Sequence, residues 1–242
     1  MTDPRVTKLA KVLVNYSVEI KPGQQLHISA NPPAIDLTLA IYEEAIKAGA
    51  NVFLEQPLEE ASELFYKFGS NEQLDYVSPV RKLIYETFDA QLAIEASTNR
   101  RSLSGIDPQR MARRSKANSG LMKTYLDRAA RGELRWCVTV YPNNANAQDA
   151  DMSLHDYTEF VFGAGMLNQE DPVAFWKALG RQQSKLVDWL KGKNTVLIKG
   201  SNVNLTLSIK DRVFVSCDGK ENSPDGEIFT GPVEDSAHEM IG

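Results

Sequence analysis

The sequence predicts an α/β fold: a parallel sheet flanked by helices, followed by the start of a β-rich second domain. Three observations carry this reading. Amphipathic stretches with helical spacing alternate with short apolar runs over the first two thirds of the chain. Between residues 194 and 216 the apolar spacing changes to period two. The chain of 242 residues, 42% hydrophobic and 24% charged, is ordinary globular material with enough length to bury a core without staples.

Val6, Leu9, Ala10, Leu13 and Val14 recur at helical spacing, with Asp3 as cap and Pro4 as first-turn residue. After the Lys21-Pro22-Gly23 turn, Leu26 to Ser29 reads as a strand, ended by Pro32 and Pro33. Leu37, Ala40, Ile41, Ala45 and Ala48 form the apolar face of the next helix, and Gly49 stops it. Asn51 to Glu55, with Val52, Phe53 and Leu54, reads as a buried strand. The pattern repeats: helical stretches at Glu60 to Phe68 and Leu74 to Phe88 precede a strand at Gln91 to Ala96, and Pro108 to Ala130 precedes one at Arg135 to Tyr141. Strands separated by helices cannot be hairpin neighbours, so they pair in parallel through right-handed crossovers. Ser153 then caps a helix to Phe162. A further helix from Pro172 to Leu190 buries Phe175, Leu179, Leu186 and Leu190. Composition changes near Lys191, which divides the chain into an α/β domain over residues 1–190 and a β-rich unit over residues 191–242. About fifty residues is near the lower limit for an independent core, and exposed apolar runs such as Val213 to Val215 would favour aggregation if unpaired.

Several function classes find no support. A net charge of -5 disfavours nucleic acid and anionic membrane as partners, because both reward a cationic surface. The N-terminus lacks the apolar core and cleavage site of a secretory signal, and the chain contains no apolar run of about 18 residues. Two cysteines, Cys137 and Cys217, can build neither a disulfide framework nor a cysteine zinc cluster, which fits a reducing cytoplasm. There is no GxGxxG after the first strand, no GxxxxGK[ST], no GxSxG and no HExxH. Gly163-Ala164-Gly165 reads as a helix stop. His27, His155 and His238 have no ligand-spaced partners, and Arg100, Arg101, Arg110, Arg113, Arg114 and Lys116 read as a solvated helix face.

The segment Ser216 to Ser236, SCDGKENSPDGEIFTGPVEDS, is the most informative. A strand runs into the turn Pro224-Asp225-Gly226 and delivers Glu227 at the start of the apolar triplet Ile228-Phe229-Thr230. A carboxylate on a scaffolded corner is suited to ligate a metal or act as a general base. The alternative is an exposed hairpin acid.

SPDGEIFTGPVEDS resembles the segment bearing the first metal-binding glutamate of the thermophilic metalloaminopeptidases, the aminopeptidase T and aminopeptidase S family. YPNNANAQDADMSLHDYTEF is similar to the middle of that family and KPGQQLHIS to its start. The resemblance implies a dimeric exopeptidase with an α/β N-terminal domain and two divalent ions, whether zinc, cobalt, manganese or magnesium. It assigns Glu227 as a metal ligand. It further implies that a second glutamate, a histidine and a His-x-Asp pair follow beyond the present sequence. The stretch in hand is therefore expected to hold no complete active site, to bind no metal pair and to be inactive alone. The ending AHEMIG departs from the glycine-containing continuation the resemblance implies, as a truncation or a frameshift near Ala237 would produce. Rival readings are a non-catalytic α/β module that binds or dimerises, favoured by a native stop after Gly242, and a nucleotide-dependent enzyme, disfavoured by the missing phosphate loops.

Overall fold

The computed structural model describes residues 3–236 and 238–239. Helix α1 (Pro4–Val12) begins where the Asp3 carboxylate accepts the Arg5 amide and proline occupies the first turn; it continues as a π-helical turn through Ser17. There follow β1 (Gln25–Ala30), α2 (Ile35–Lys47), β2 (Asn51–Glu55), α3 (Glu59–Phe68), α4 (Asn71–Asp75), α5 (Pro79–Thr87), β3 (Ala90–Glu95), α6 (Pro108–Ala130), β4 (Arg135–Val140), α7 (Asn144–Asp149) and α8 (Leu154–Ala164). Beyond these lie α9 (Pro172–Leu190), β5 (Thr195–Gly200), β6 (Val203–Ser208), β7 (Val215–Ser216), β8 (Asn222–Ser223), β9 (Ile228–Phe229) and β10 (His238–Glu239).

The chain forms two compact units, one of residues 1–173 and 220–224, the other of residues 174–219 and 225–242. The division falls inside α9, whereas the change in composition falls near Lys191.

In the first unit a five-stranded sheet has the order β2-β1-β3-β4-β8, and every pairing is parallel. Right-handed crossovers from β1 to β2 and from β2 to β3 run in opposite directions across the sheet, so their helices belong on opposite faces. The packing agrees: α1 lies on α2, while α4 and α5 lie on α6. Leu26, Ile28, Leu92, Ile94 and Cys137 of the strands join Val6, Leu9, Leu13, Leu37 and Ile41 in one buried core. Strand order reverses at β1 and β3, where α/β sheets commonly take ligands at the strand ends. Here Asn31 bridges that point, its N–H donating to Ile94 O and its Oδ1 accepting from Ala96 N–H.

Four expectations need correction. The strand at Asn51–Glu55 forms, but it is a sheet edge, with Phe53 42% and Leu54 39% exposed; an apolar run signals a strand without fixing its place. The single helix expected over Leu74 to Phe88 is two, because Ser78 caps a new helix with Pro79 in its first turn. The stripe expected on α9 is displaced: Leu186 is exposed, whereas Trp176 and Gln183, seven residues apart, are buried. Finally, the basic face of α6 is solvated only in part: Arg113 is exposed and balanced by an acid, whereas Arg110 and Arg114 are half-buried. Arg110 donates to the carbonyls of Tyr66 and Gly69, Arg114 to that of Tyr76, and Arg113 pairs with Asp75 at 2.5 Å. They clamp the α3–α5 segment, giving its helix-end carbonyls donors they would otherwise lack. The sequence also gave no sign of α7, which Asn143 caps.

His27 stands in the middle of β1, buried against Phe53 and Phe88 at ring-centroid distances of 5.7 and 6.3 Å. Its Nε2–H donates to Glu55 Oε2 at 3.1 Å, while Nδ1 has no hydrogen-bond partner among the described residues. This is the structural histidine that the sequence suggests.

In the second unit β5 and β6 form an antiparallel hairpin that β10 extends through His238↔Thr206, and β7 pairs antiparallel with β9. Val213 is 78% exposed, while Val215 is paired with Phe229. Ala237 and residues 240–242, within the unexpected ending, lie outside the described residues. No helix among the described residues is long and apolar enough to cross a membrane.

Burial pushes the His27 pKa down, and the Glu55 carboxylate opposes this only in part. A histidine lowered in the folded state binds fewer protons folded than unfolded. Its contribution is therefore intact above the ordinary histidine value and is lost as pH falls through and below it. In urea denaturation, the stability advantage of wild type over His27→Gln is expected to shrink between pH 8 and pH 5; an advantage that grew on acidification would contradict this burial.

Candidate metal centre

The corner that carries Glu227 is built from an unusually small amount of regular structure. Strands β7 and β9 pair over two residues each, Val215↔Phe229 and Ser216↔Ile228. One step further along this antiparallel register, Cys217 stands opposite Glu227, and its N–H donates to Glu227 O at 2.9 Å. Directly opposed residues place their side chains on one side of the ribbon. Asp225 is two residues from Glu227, the spacing that returns an extended chain to the same side.

Helix α9 supplies the support. The buried Gln183 side chain donates from Nε2 to the carbonyls of Cys217 and Glu227, each at 3.2 Å, and its Oε1 accepts the Ser216 hydroxyl at 3.0 Å. One amide thus satisfies both chains of the corner, explaining why a polar residue occupies the buried line of this helix. Glycine is required at two points. Gly226 has φ +138°, which side chains rarely adopt, and Gly219, at φ +89°, lies so close to Trp176 that a Cβ would sit 3.1 Å from the indole.

The ligand atoms of Cys217, Asp225 and Glu227 all lie within 4.8 Å of one another. Among the described residues this is the group of three potential ligands that one ion can bridge. Cys217 is buried, Asp225 half-buried and Glu227 exposed. Asp225 Oδ1 accepts from Gly226 N–H at 3.0 Å, whereas Asp225 Oδ2 is buried with no hydrogen-bond partner among the described residues. A buried, unpartnered carboxylate oxygen is costly unless a proton or cation meets it. One thiol and two carboxylates also match the three protein ligands of a divalent site that keeps an open position. The residues present fit a single divalent ion.

Of the three side chains grouped here, sequence reasoning singled out Glu227 and not Cys217 or Asp225. Asp225 reads as a turn residue, and Cys217 as one of two cysteines too few for a cluster. The available signal was the hairpin register, which needs the pairing of Val215 with Phe229 to be known. His27, paired with Glu55, and the exposed His155 of α8 belong to the first unit, and neither is a member of this group. Gly165 caps α8, as expected of a helix stop.

Residues 2–240 match the profile of the thermophilic metalloprotease (M29) family, and the chain belongs to that family. Aminopeptidase 2 of Geobacillus stearothermophilus is 24% identical over 99% of this chain and 63% of its own length. Aminopeptidase T of Thermus thermophilus is 22% identical over 93% of this chain and 60% of its own. The structure of wild-type AmpT from Thermus thermophilus superposes with a TM-score of 0.77 at 21% identity, covering 97% of this chain and 63% of that one. That likeness shows the fold, the parallel sheet with helices followed by small antiparallel sheets. The chain thus spans 60–63% of the length of these curated relatives.

If Gln183 holds the corner, Gln183→Leu removes its bonds to the carbonyls of Cys217 and Glu227 and to the Ser216 hydroxyl, at a cost of about 1–3 kcal/mol. Hydrogen exchange at the Cys217 amide is expected to accelerate by about tenfold or more, with the amides of β1 and β3 unchanged. Unaltered protection at Cys217 would show that the hairpin stands without this amide.

Proposed function

We propose that the full-length protein removes N-terminal residues from peptides at a centre of two divalent metal ions, and that this stretch contributes Glu227 to it. The observation carrying the proposal is the placement of Glu227: in a metalloprotease-family chain, an exposed carboxylate rises from a corner fixed by buried backbone bonds. Relatives named as aminopeptidases support the exopeptidase reading. Glu227 would help hold the ions, which when bound would supply Lewis-acid polarisation of a scissile carbonyl and a water of lowered pKa.

The residues in hand have narrower tasks. The Cys217 amide and Gln183 fix the Glu227 backbone, leaving the carboxylate as the exposed element of the corner. Its exposure leaves room for ligands from elsewhere in the full-length protein. Two ions need about three protein ligands each, and the described residues hold one such group of three. By this reading residues 1–242 do not hold the metal pair and do not hydrolyse peptides unaided. The reading extends to a homodimer acting in the cytoplasm. The support there is the resemblance for the dimer, and for the compartment two buried cysteines that form no disulfide.

In the full-length protein, Glu227→Gln is expected to lower peptide hydrolysis by about a hundredfold or more, with reduced metal content and an unchanged circular dichroism spectrum. Normal activity with normal metal content would remove Glu227 from the centre. Residues 1–242 alone should release no amino acid above the buffer blank, and metal-dependent turnover by them would refute the division of ligands.

A further inference from the structure

We infer that Cys217 and Asp225 join Glu227 as ligands, so that this chain alone binds one thiophilic divalent cation, zinc or cobalt in preference to magnesium. The inference rests on the reading of Glu227 as a ligand and adds two donors to it.

Three observations meet at this point. The β7–β9 register sets Cys217 directly across from Glu227, and the Cys217 N–H to Glu227 O bond of 2.9 Å holds that register one step past the last strand pair. Asp225, two residues before Glu227, completes a set whose donor atoms lie within 4.8 Å of one another. Asp225 Oδ2 is buried and has no hydrogen-bond partner among the described residues, although Oδ1 of the same carboxylate is bonded to Gly226 N–H. A carboxylate with one oxygen served and the other buried and unserved has a cation as its natural complement.

The geometry is within reach of side-chain rotation. Bonds of about 2.3 Å to sulfur and about 2.0–2.2 Å to carboxylate oxygen put the donors of a tetrahedral ion roughly 3.5 Å apart. Closing from within 4.8 Å asks for donor movements of about an ångström, the scale of side-chain rotation on the corner that Gln183 holds. On binding, the Cys217 thiol proton leaves to solvent and the thiolate sulfur donates its electron pair to the ion. The sulfur donor decides the metal class: thiolates select soft and borderline ions, whereas magnesium and manganese prefer oxygen. The fourth position stays open to water or to a further ligand in the full-length protein.

The test is a titration of chelator-treated residues 1–242 with cobalt(II), followed by absorption. The expected result is visible d–d bands of a four-coordinate ion together with thiolate-to-cobalt charge-transfer absorption in the near ultraviolet. Cys217→Ser should abolish the charge-transfer absorption and Cys137→Ser should keep it, while Asp225→Asn should weaken binding about tenfold or more. Circular dichroism of each variant reports folding, and zinc should displace cobalt where a large excess of magnesium does not. Cobalt bands without charge transfer, lost in Glu227→Gln, would overturn the role of Cys217 while leaving Glu227 as a ligand. Absence of any cobalt spectrum from folded protein would overturn the three-donor site. The assignment of Glu227 in the full-length protein is decided separately, by the activity of its Gln variant.

Discussion

The backbone at Glu227 has little of its own to hold it. Two strands of two residues cannot resist fraying, since an isolated ribbon of that length is marginal in water. What holds it is the amide of Gln183, buried on α9, which gives both of its donor hydrogens to carbonyls on either side of the corner and takes the Ser216 hydroxyl in return. The cost of leaving any one of these groups unpaired in the interior exceeds the gain from an average surface contact. The arrangement therefore acts as a single latch. With it closed, Cys217, Asp225 and Glu227 share one side of the hairpin; with it open, the short β7–β9 pairing and the Cys217 N–H to Glu227 O bond are left to hold them.

The first unit follows a different logic. Its sheet is wholly parallel, so its stability comes from helices covering apolar strands rather than from hairpins. Arg110 and Arg114 extend this covering to α3, α4 and α5 by donating to the carbonyls of Tyr66, Gly69 and Tyr76. At the point where strand order reverses, Asn31 ties β1 to β3 instead of leaving a glycine-lined crevice. The polar groups that a nucleotide would use there serve one another. The proposed metal ligands belong to the other unit.

Local signals were legible in the sequence wherever they were complete. Pro108 announces α6, Asp3 followed by Pro4 announces α1, and the alternation of helices with apolar runs dictates a parallel sheet. Ser78 followed by Pro79 was an equally clear start, but the apolar spacing on either side of it suggested one continuous helix. What was not legible is non-local. Nothing in Asn51–Glu55 says that its strand is an edge, and nothing in the arginines of α6 says that their partners are carbonyls some forty residues earlier in the chain. The site shows the same division. Glu227 could be found because the turn before it and the apolar triplet after it are adjacent in sequence. Asp225 and Cys217 acquire their place only from strand register and from a glutamine on a distant helix, whose burial the expected apolar stripe of Leu179 and Leu186 obscured.

The Glu227 corner is the proposed place where this family member holds a catalytic metal ion. Anomalous X-ray diffraction from crystals of the full-length protein, at the absorption edge of its bound metal, tests that claim most directly. The account predicts an anomalous peak about 2.0–2.2 Å from a Glu227 carboxylate oxygen, with a second peak roughly 3.5–4 Å from the first. Metal peaks remote from Glu227, with its carboxylate free in solvent, would contradict it.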